Sequence, residues 1–141
     1  MDSEEVRAFL DDSKSLVVAT LDKRGAPHLT TLWFARKGED ILFETYATSQ
    51  KVLNLKRDPR IAVMCEQGET YNDLRGVSIQ GTAEIVDSGL RLRELMTVIL
   101  NRSFPGQSPE ALAKLVSDMI RKRVVVVVRP EKYISWDHRK L

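Results

Sequence analysis

The sequence predicts an α+β protein in which six or seven antiparallel strands form a small barrel with helices beside it. Short runs rich in β-branched and aromatic residues recur along the 141-residue chain, and polar turns containing glycine separate them. Gly76 and Gly81 interrupt the longest run, as expected for a strand that bends to close a barrel. Most of the helical spacing lies in one block after Gly89, which favours helices packed beside a sheet.

The first part of the chain predicts one helix and two strands. Residues Asp2–Asp11 have helical spacing, and their first residues can form a capping box. Ser15–Leu21 is predicted as the first strand and Pro27–Ala35 as the second, with a glycine-containing turn between them. Arg36–Asp40 is predicted as a second polar turn.

The central part predicts a strand, a short helix and two further strands. Ile41–Thr45 and Ile61–Met64 are the apolar runs, and Ser49 is placed to cap one or two turns of helix between them. A polar loop is expected at Glu66–Asn72. Asp73–Asp87 is then predicted as one long, bent strand.

The last third predicts a pair of helices followed by two short strands. Leu90–Arg102 has helical spacing, and Ser108 with Pro109 marks the start of a second helix. Val124–Val128 is predicted as a fully buried strand and Tyr133–Trp136 as a short final strand, with Pro130 separating the two.

Composition indicates a single domain spanning residues 1–141. With 43% hydrophobic and 30% charged residues the chain is typical of a globular protein, and its one cysteine, Cys65, excludes an internal disulfide. The N-terminus lacks the layout of a signal peptide, and no apolar run is long enough to cross a bilayer, so we expect a cytoplasmic protein without a membrane partner. A net charge of +2, without aromatic residues among the cations of Lys51–Arg60, argues against nucleic acid as a partner.

The polar segment between the two central strands predicts an anion-binding turn. Hydroxyl, amide and cationic side chains follow the strand Ile41–Thr45 closely, and each can donate a hydrogen bond to a phosphate. The N–H groups at the start of a helix capped by Ser49 can bind the same anion. An alternative interpretation is a surface helix capped by Ser49, with solvated cations and with Val52, Leu53 and Leu55 in the core.

The sequence carries no recognisable acid–base machinery. His28 and His138 lie far apart and outside any zinc-like spacing, and no strand is followed by a dinucleotide-binding glycine fingerprint. We therefore assign no catalytic residue and no metal. Redox chemistry remains reasonable if a cofactor carries the reaction and the protein orients it.

Three segments resemble the flavin-binding split-barrel superfamily, which includes pyridoxamine-phosphate-oxidase-like proteins and reductases dependent on the deazaflavin coenzyme F-420. KVLNLKRDPRIAV, residues 51–63, is similar to the K-x-x-N-L-x-x-D-P-R signature. VATLDKRGAPHLTTLWF is similar to the first hairpin of that group, and RGVSIQGTAEIVD to its long fifth strand. The resemblance covers roughly the whole chain and implies an FMN-binding type of split β-barrel.

The resemblance also implies a homodimer in which a flavin-like ring lies between the subunits. Lys51 matches the phosphate-binding lysine and Asn54 the signature asparagine, whereas Ser49 stands where deazaflavin-binding members often have arginine. Trp33 is either a ring contact or an aromatic residue of the dimer core. The cofactor-binding residues expected from the polar segment and the resemblance are Thr30, Thr31, Leu32, Thr45, Thr48, Ser49, Gln50, Lys51, Asn54, Trp136 and Arg139.

The favoured function is hydride transfer from reduced coenzyme F-420 to an unsaturated small-molecule substrate. Short chains with this signature resemble the deazaflavin-using branch. Lys56, Arg57 and Arg60, with Arg139 and Lys140 from a second subunit, could attract the acidic tail of that cofactor. The alternatives are an FMN-dependent oxidase or flavin reductase, and a non-enzymatic split barrel that binds a cofactor or another ligand.

Overall fold

The computed structural model describes residues 1–141 and contains seven strands and four α-helices. In chain order the elements are α1 Ser3–Asp12, β1 Ser15–Leu21, β2 Pro27–Trp33, β3 Ala35–Lys37, β4 Asp40–Tyr46, α2 Gln50–Arg57, β5 Arg60–Gln67, β6 Arg75–Val86, α3 Gly89–Ser103, α4 Pro109–Met119 and β7 Arg123–Asp137. Short 3-10 helices lie at Tyr71–Asp73 and His138–Lys140. No helix has the length and apolar character needed to cross a membrane.

All seven strands form one antiparallel sheet in the order β2-β1-β5-β6-β7-β4-β3. The sheet curls into a half-barrel, so β2 and β3 remain at its two edges. The α+β split-barrel class predicted from the sequence is therefore confirmed. The predicted caps are present as well, since Asp2, Ser49 and Ser108 each accept a backbone N–H of the helix that they precede.

The predicted second strand is divided in two. β2 ends at Trp33, and Ala35 begins β3, which pairs with β4 at the opposite edge of the sheet. Phe34 and Ala35 are both about 1% exposed, so the alternation of a single strand is broken where the chain passes from one edge to the other. The polar turn predicted at Arg36–Asp40 is present but shorter, since Gly38 and Glu39 form it between β3 and β4.

The two predicted C-terminal strands are one strand of 15 residues, β7. Pro130 does not end it, because a bulge in the pairing with β6 leaves Glu131 without an opposite residue. Gly81 faces this bulge, and a Cβ there would overlap the carbonyl of Arg129. The prediction that Pro130 separates two strands is wrong, because the interrupted pairing at the bulge does not require the backbone N–H that proline lacks.

Two hydrophobic cores lie on opposite faces of β7. Val126 and Val128 point into the half-barrel, which α1 closes with Phe9 and Leu10. The residues that alternate with them on β7 face the other way and pack against the hairpin of α3 and α4. The continuous valine run is thus explained by burial of both faces of the strand.

Arg102 near the end of α3 holds α1, the β2–β3 corner and the helical hairpin together. Its guanidinium donates to the carbonyls of Leu10, Asp11, Ser13 and Phe34, and it lies 4.7 Å from the centre of the Phe34 ring. Burial lowers the pKa of this arginine. The contacts satisfy carbonyls at the end of α1 and fix the point where β2 leaves the sheet edge.

Candidate functional site

The turn between β4 and α2 leaves several donors without a protein acceptor. Thr45 Oγ1 donates to Ser49 Oγ over 3.3 Å, and Ser49 Oγ also accepts the N–H of Val52 at 3.4 Å. With its acceptor sites used inward, the Ser49 hydroxyl retains its own hydrogen for a ligand. The N–H groups of Gln50 and Lys51 also have no acceptor in the protein. Thr48 is exposed beside them.

Lys51 is a half-buried cation without an ion-pair partner. Burial lowers the pKa of its amine, and the nearby charge of Glu44 opposes that effect. Glu44 is itself paired with Arg123, whose Nη1 lies 3.0 and 3.1 Å from the two carboxylate oxygens. An anionic ligand at the start of α2 would therefore supply the partner that Lys51 lacks.

Asn54 lies inside the protein and holds α2 on β1. It is fully buried, and its Nδ2 donates to Thr20 Oγ1 over 3.0 Å. Its Oδ1 accepts from Gln50 Nε2 at 2.8 Å and from Arg57 at 3.2 Å. The signature asparagine and Gln50 thus orient the turn through contacts within the chain.

The alternative interpretation of α2 as an ordinary capped helix is partly correct. Val52 and Leu55 are buried against the half-barrel, as that interpretation expected. The prediction that Leu53 belongs to the core is wrong, because half of its surface is exposed. Packing and ligand donors coexist because they occupy different faces of the same short helix.

Edge strand β2 pairs with β1 and carries two buried polar atoms without a hydrogen-bond partner, Thr30 Oγ1 and His28 Nδ1. His28 pairs with Thr20, to which Asn54 is bonded, so α2 and β2 flank the same part of β1. Leu32 is half-buried and Thr31 faces outward. Both unpartnered atoms are enclosed by the protein, so neither is open to a ligand as the side chains lie here.

The C-terminal residues lie away from the turn within one chain. Trp136 packs over Gly76, where a Cβ would overlap its ring. Arg139 is paired with Asp137 at 2.7 Å, and Lys140 with Glu5 at 2.6 Å. These residues lie at or beyond the far end of β7, whereas the turn adjoins its first residues through the pair Tyr46–Arg123. The structure thus brings Thr45, Ser49 and Lys51 together at the turn, but not the tail.

The expected basic patch for an acidic tail is weaker than the sequence implied. Arg60 is paired with Asp58 at 2.7 Å, which lowers the pKa of that carboxyl to about 2. Arg57 donates to the carbonyl of Leu21 and to Asn54. Lys56 alone among these three cations is exposed and without a hydrogen-bond partner. The sequence shows how many cations lie close together, but it does not show which of them are paired in the folded protein.

Sequence reasoning missed the cluster of Glu44, Tyr46 and Arg123 beside Lys51. Arg123 bonds Glu44, donates to the Tyr46 hydroxyl at 2.9 Å and lies 4.3 Å from the centre of that ring. The partners are almost 80 positions apart in sequence, and only the pairing of β4 with β7 brings them together. No group of three metal-binding side chains accompanies them.

Comparison with known proteins identifies relatives of this fold. The sequence profile of the pyridoxamine 5'-phosphate oxidase family matches residues 2–137. A pyridoxine/pyridoxamine 5'-phosphate oxidase of Kineococcus radiotolerans is 33% identical over 84 residues, which are 60% of this chain and only 36% of that enzyme.

Solved structures agree with this assignment. Rv2991 of Mycobacterium tuberculosis superposes with a TM-score of 0.93 at 39% identity, covering 99% of this chain and 87% of that one. An F-420 reductase superposes at 0.67 with 24% identity, over 91% and 94% of the chains. HutZ, a haem storage protein of Vibrio cholerae, does so at 0.72 with 15% identity, over 96% and 93%. The last two likenesses show a shared fold. With the profile matching nearly the full length, this chain belongs to the pyridoxamine 5'-phosphate oxidase family of split-barrel proteins.

Proposed function

We propose that this protein is an oxidoreductase that uses reduced coenzyme F-420 for hydride transfer to an unsaturated organic substrate. The observation that carries the proposal is the half-buried, unpaired Lys51 at the start of α2, beside the free hydroxyl hydrogen of Ser49. A phosphate is the ligand that such a cation, hydroxyl and helix N-terminus bind together. The relationship to a flavin-using enzyme family supports a cofactor with a phosphate on its ribityl chain.

The residues of the site divide into three roles under this proposal. Lys51, Ser49 and Thr48 bind the phosphate, and Thr45 holds the Ser49 hydroxyl in place. Thr30 of β2 lies beside the polar chain of the cofactor. The outer edge of β2 at Thr31 and Leu32 offers backbone N–H and C=O groups that no neighbouring strand occupies, and these groups orient the ring. The bound deazaflavin supplies the hydride.

A symmetric homodimer completes the site in this proposal. The outer face of the half-barrel exposes Leu29, Trp33 and Ile134, which are 63%, 51% and 46% exposed. Such an apolar face is covered by a second copy, which also brings Trp136 and Arg139 towards the cofactor of its partner. Sedimentation at micromolar concentration should give about twice the chain mass of 16.0 kDa. A monomer that binds cofactor normally would contradict the shared site.

The choice between F-420 and FMN is tested by colour and titration. Protein from a host that lacks F-420 should purify colourless and bind added F-420 more tightly than FMN. The structural likeness to an F-420 reductase favours this outcome. The relationship to the Kineococcus oxidase favours FMN instead. Protein that purifies yellow with stoichiometric FMN and ignores F-420 is an FMN-dependent oxidase or flavin reductase.

A non-enzymatic ligand carrier is the second candidate. HutZ shares the fold, and the half-buried His28 of β2 supplies an imidazole that a haem iron could bind. The same absorption measurement decides, because added haemin would give a shifted Soret band that His28→Ala removes. If haemin gives no such band while F-420 or FMN binds, the carrier function is excluded.

A further inference from the structure

A cavity of about 390 Å³ lies between the helical hairpin and the sheet. Seven of its ten lining residues are hydrophobic, contributed by the end of β2, by α3 and the residue after it, and by α4. Two of these are aromatic and about half exposed at the mouth, Trp33 and Phe104. The cavity volume lies within the range of small-molecule sites.

The polar end of this cavity is electrically balanced. Glu44 and Arg123 both line it, and they are paired over 3.0 Å with each side chain about one quarter exposed. Arg123 uses Nη1 for Glu44 and one donor of Nη2 for Tyr46, so its Nε–H and a second Nη2–H have no partner. The pair therefore offers hydrogen-bond donors without a net positive charge.

We infer that this cavity binds a neutral, mostly apolar ring compound with one hydrogen-bond acceptor, such as a ketone, directed at Arg123. The apolar walls contact the ring, and the free guanidinium N–H groups donate hydrogen bonds to the acceptor. A carboxylate in the same place would lose its water of hydration without a net gain, because repulsion from Glu44 offsets its attraction to Arg123. Glu44 thus selects neutral over anionic molecules.

The cavity adjoins the proposed cofactor site. Leu32 of the β2 edge is in its wall, and Glu44 in its wall acts on the charge of Lys51. Its occupant is the substrate, an identification that rests on the proposed function. Binding to the cavity needs no cofactor, so it can be measured with the cofactor-free protein.

The test is methyl NMR of the full-length protein with three probes of similar ring size: 1-tetralone, naphthalene and 1-naphthoate. Tetralone should shift the methyl signals of Ile99 and Met119 in the cavity wall, but not that of Ile61 in the other core. Naphthalene should bind more weakly for lack of an acceptor. Naphthoate should bind roughly tenfold more weakly than tetralone or worse, because of Glu44.

Two variants make the result specific. Leu115→Trp fills the cavity and should abolish the shifts, whereas Ala113→Trp on the exposed face of the same helix should leave them. Glu44→Gln removes the repelling charge and should bring naphthoate within about threefold of tetralone. If Leu115→Trp does not fold, this change in selectivity still decides, since a loss of packing cannot produce it.

The inference is overturned if tetralone leaves the Ile99 and Met119 methyls unmoved, or if naphthoate already binds the unchanged protein as tightly as tetralone. A protein that binds F-420 but not tetralone would keep the proposed function and lose the cavity. A protein that binds tetralone in the cavity but neither F-420 nor FMN would keep the cavity as a binding site and lose the proposed function.

Discussion

The two ends of strand β7 present cationic side chains in opposite states. Near its start, Lys51 is half-buried and has no ion-pair partner. Beyond its end, Arg139 and Lys140 are exposed and each is bonded to a carboxylate. From the sequence both groups are basic segments suited to an anionic ligand. The difference shows that a nearby carboxylate, not the number of cations, determines whether a charge is available for binding.

The pKa shifts at the two ends follow from these states. Hydrogen bonds from Arg139 hold the pKa of the Asp137 carboxyl far below its usual range, so that pair is satisfied without a ligand. Burial instead lowers the pKa of the Lys51 amine, because its charge has lost water and gained no partner. A ligand anion should therefore gain more binding free energy beside Lys51 than beside Arg139 and Lys140.

The largest expected effect is that of Lys51→Ala on cofactor affinity. Removing this charge-assisted contact should cost roughly 1.5–3 kcal/mol of binding free energy, which is about tenfold or more in the Kd of F-420 or FMN. The melting temperature should change little. Fluorescence titration of the purified protein measures the affinity.

Lys56→Ala is the matched control, because Lys56 is an exposed lysine on the same helix. It should change the Kd by less than about twofold. Equal losses for Lys51→Ala and Lys56→Ala would mean that the helix attracts the cofactor by its net charge alone, and the contrast between buried and exposed cations would fail.

A smaller effect is expected for Ser49→Ala. The variant loses an N-cap, at a cost of about 1 kcal/mol in the free energy of unfolding, and also loses the hydroxyl that donates to the phosphate. Ser108→Ala removes the equivalent cap of α4, where Ser108 Oγ accepts the N–H of Ala111 at 3.1 Å. Both should destabilise in urea unfolding, but Ser49→Ala alone should weaken cofactor binding. If both variants bind the cofactor equally well, Ser49 serves only as the N-cap of α2 and does not contact the phosphate.

The outcome for Ser49 and Asn54 shows how far sequence reasoning reaches. Caps, glycine bends and apolar periodicity are local, and they predicted the antiparallel α+β fold and the short helix α2. The inward role of Asn54 and the pair Glu44–Arg123 depend on contacts across the sheet, over 34 and 79 positions. Such contacts leave no local pattern, so spacing could locate the turn but not assign each side chain to a ligand or to the core.

The pH dependence of binding should report the burial of Lys51. The protonated amine binds the phosphate, so the contribution of Lys51 is complete below its pKa and is lost as pH rises through it. Since that pKa is lowered, affinity should begin to fall at a lower pH than for an ordinary lysine. Lys51→Arg, which stays charged, should remove this fall. A profile identical in both proteins would show that another group controls it.

The smallest expected effect concerns the tail and also separates the two cofactors. If Arg139 of one subunit attracts the acidic tail of F-420 bound by the other, Arg139→Ala should weaken F-420 by only roughly two- to fivefold, because the cation is exposed and already paired. Asp137→Asn releases Arg139 and should strengthen F-420 binding by a similar factor. FMN ends at its phosphate and should respond to neither change. Opposite shifts for F-420 that vanish at high salt would show that the paired tail still acts at long range. Unchanged F-420 affinity in both variants would confine cofactor binding to β2 and the turn before α2.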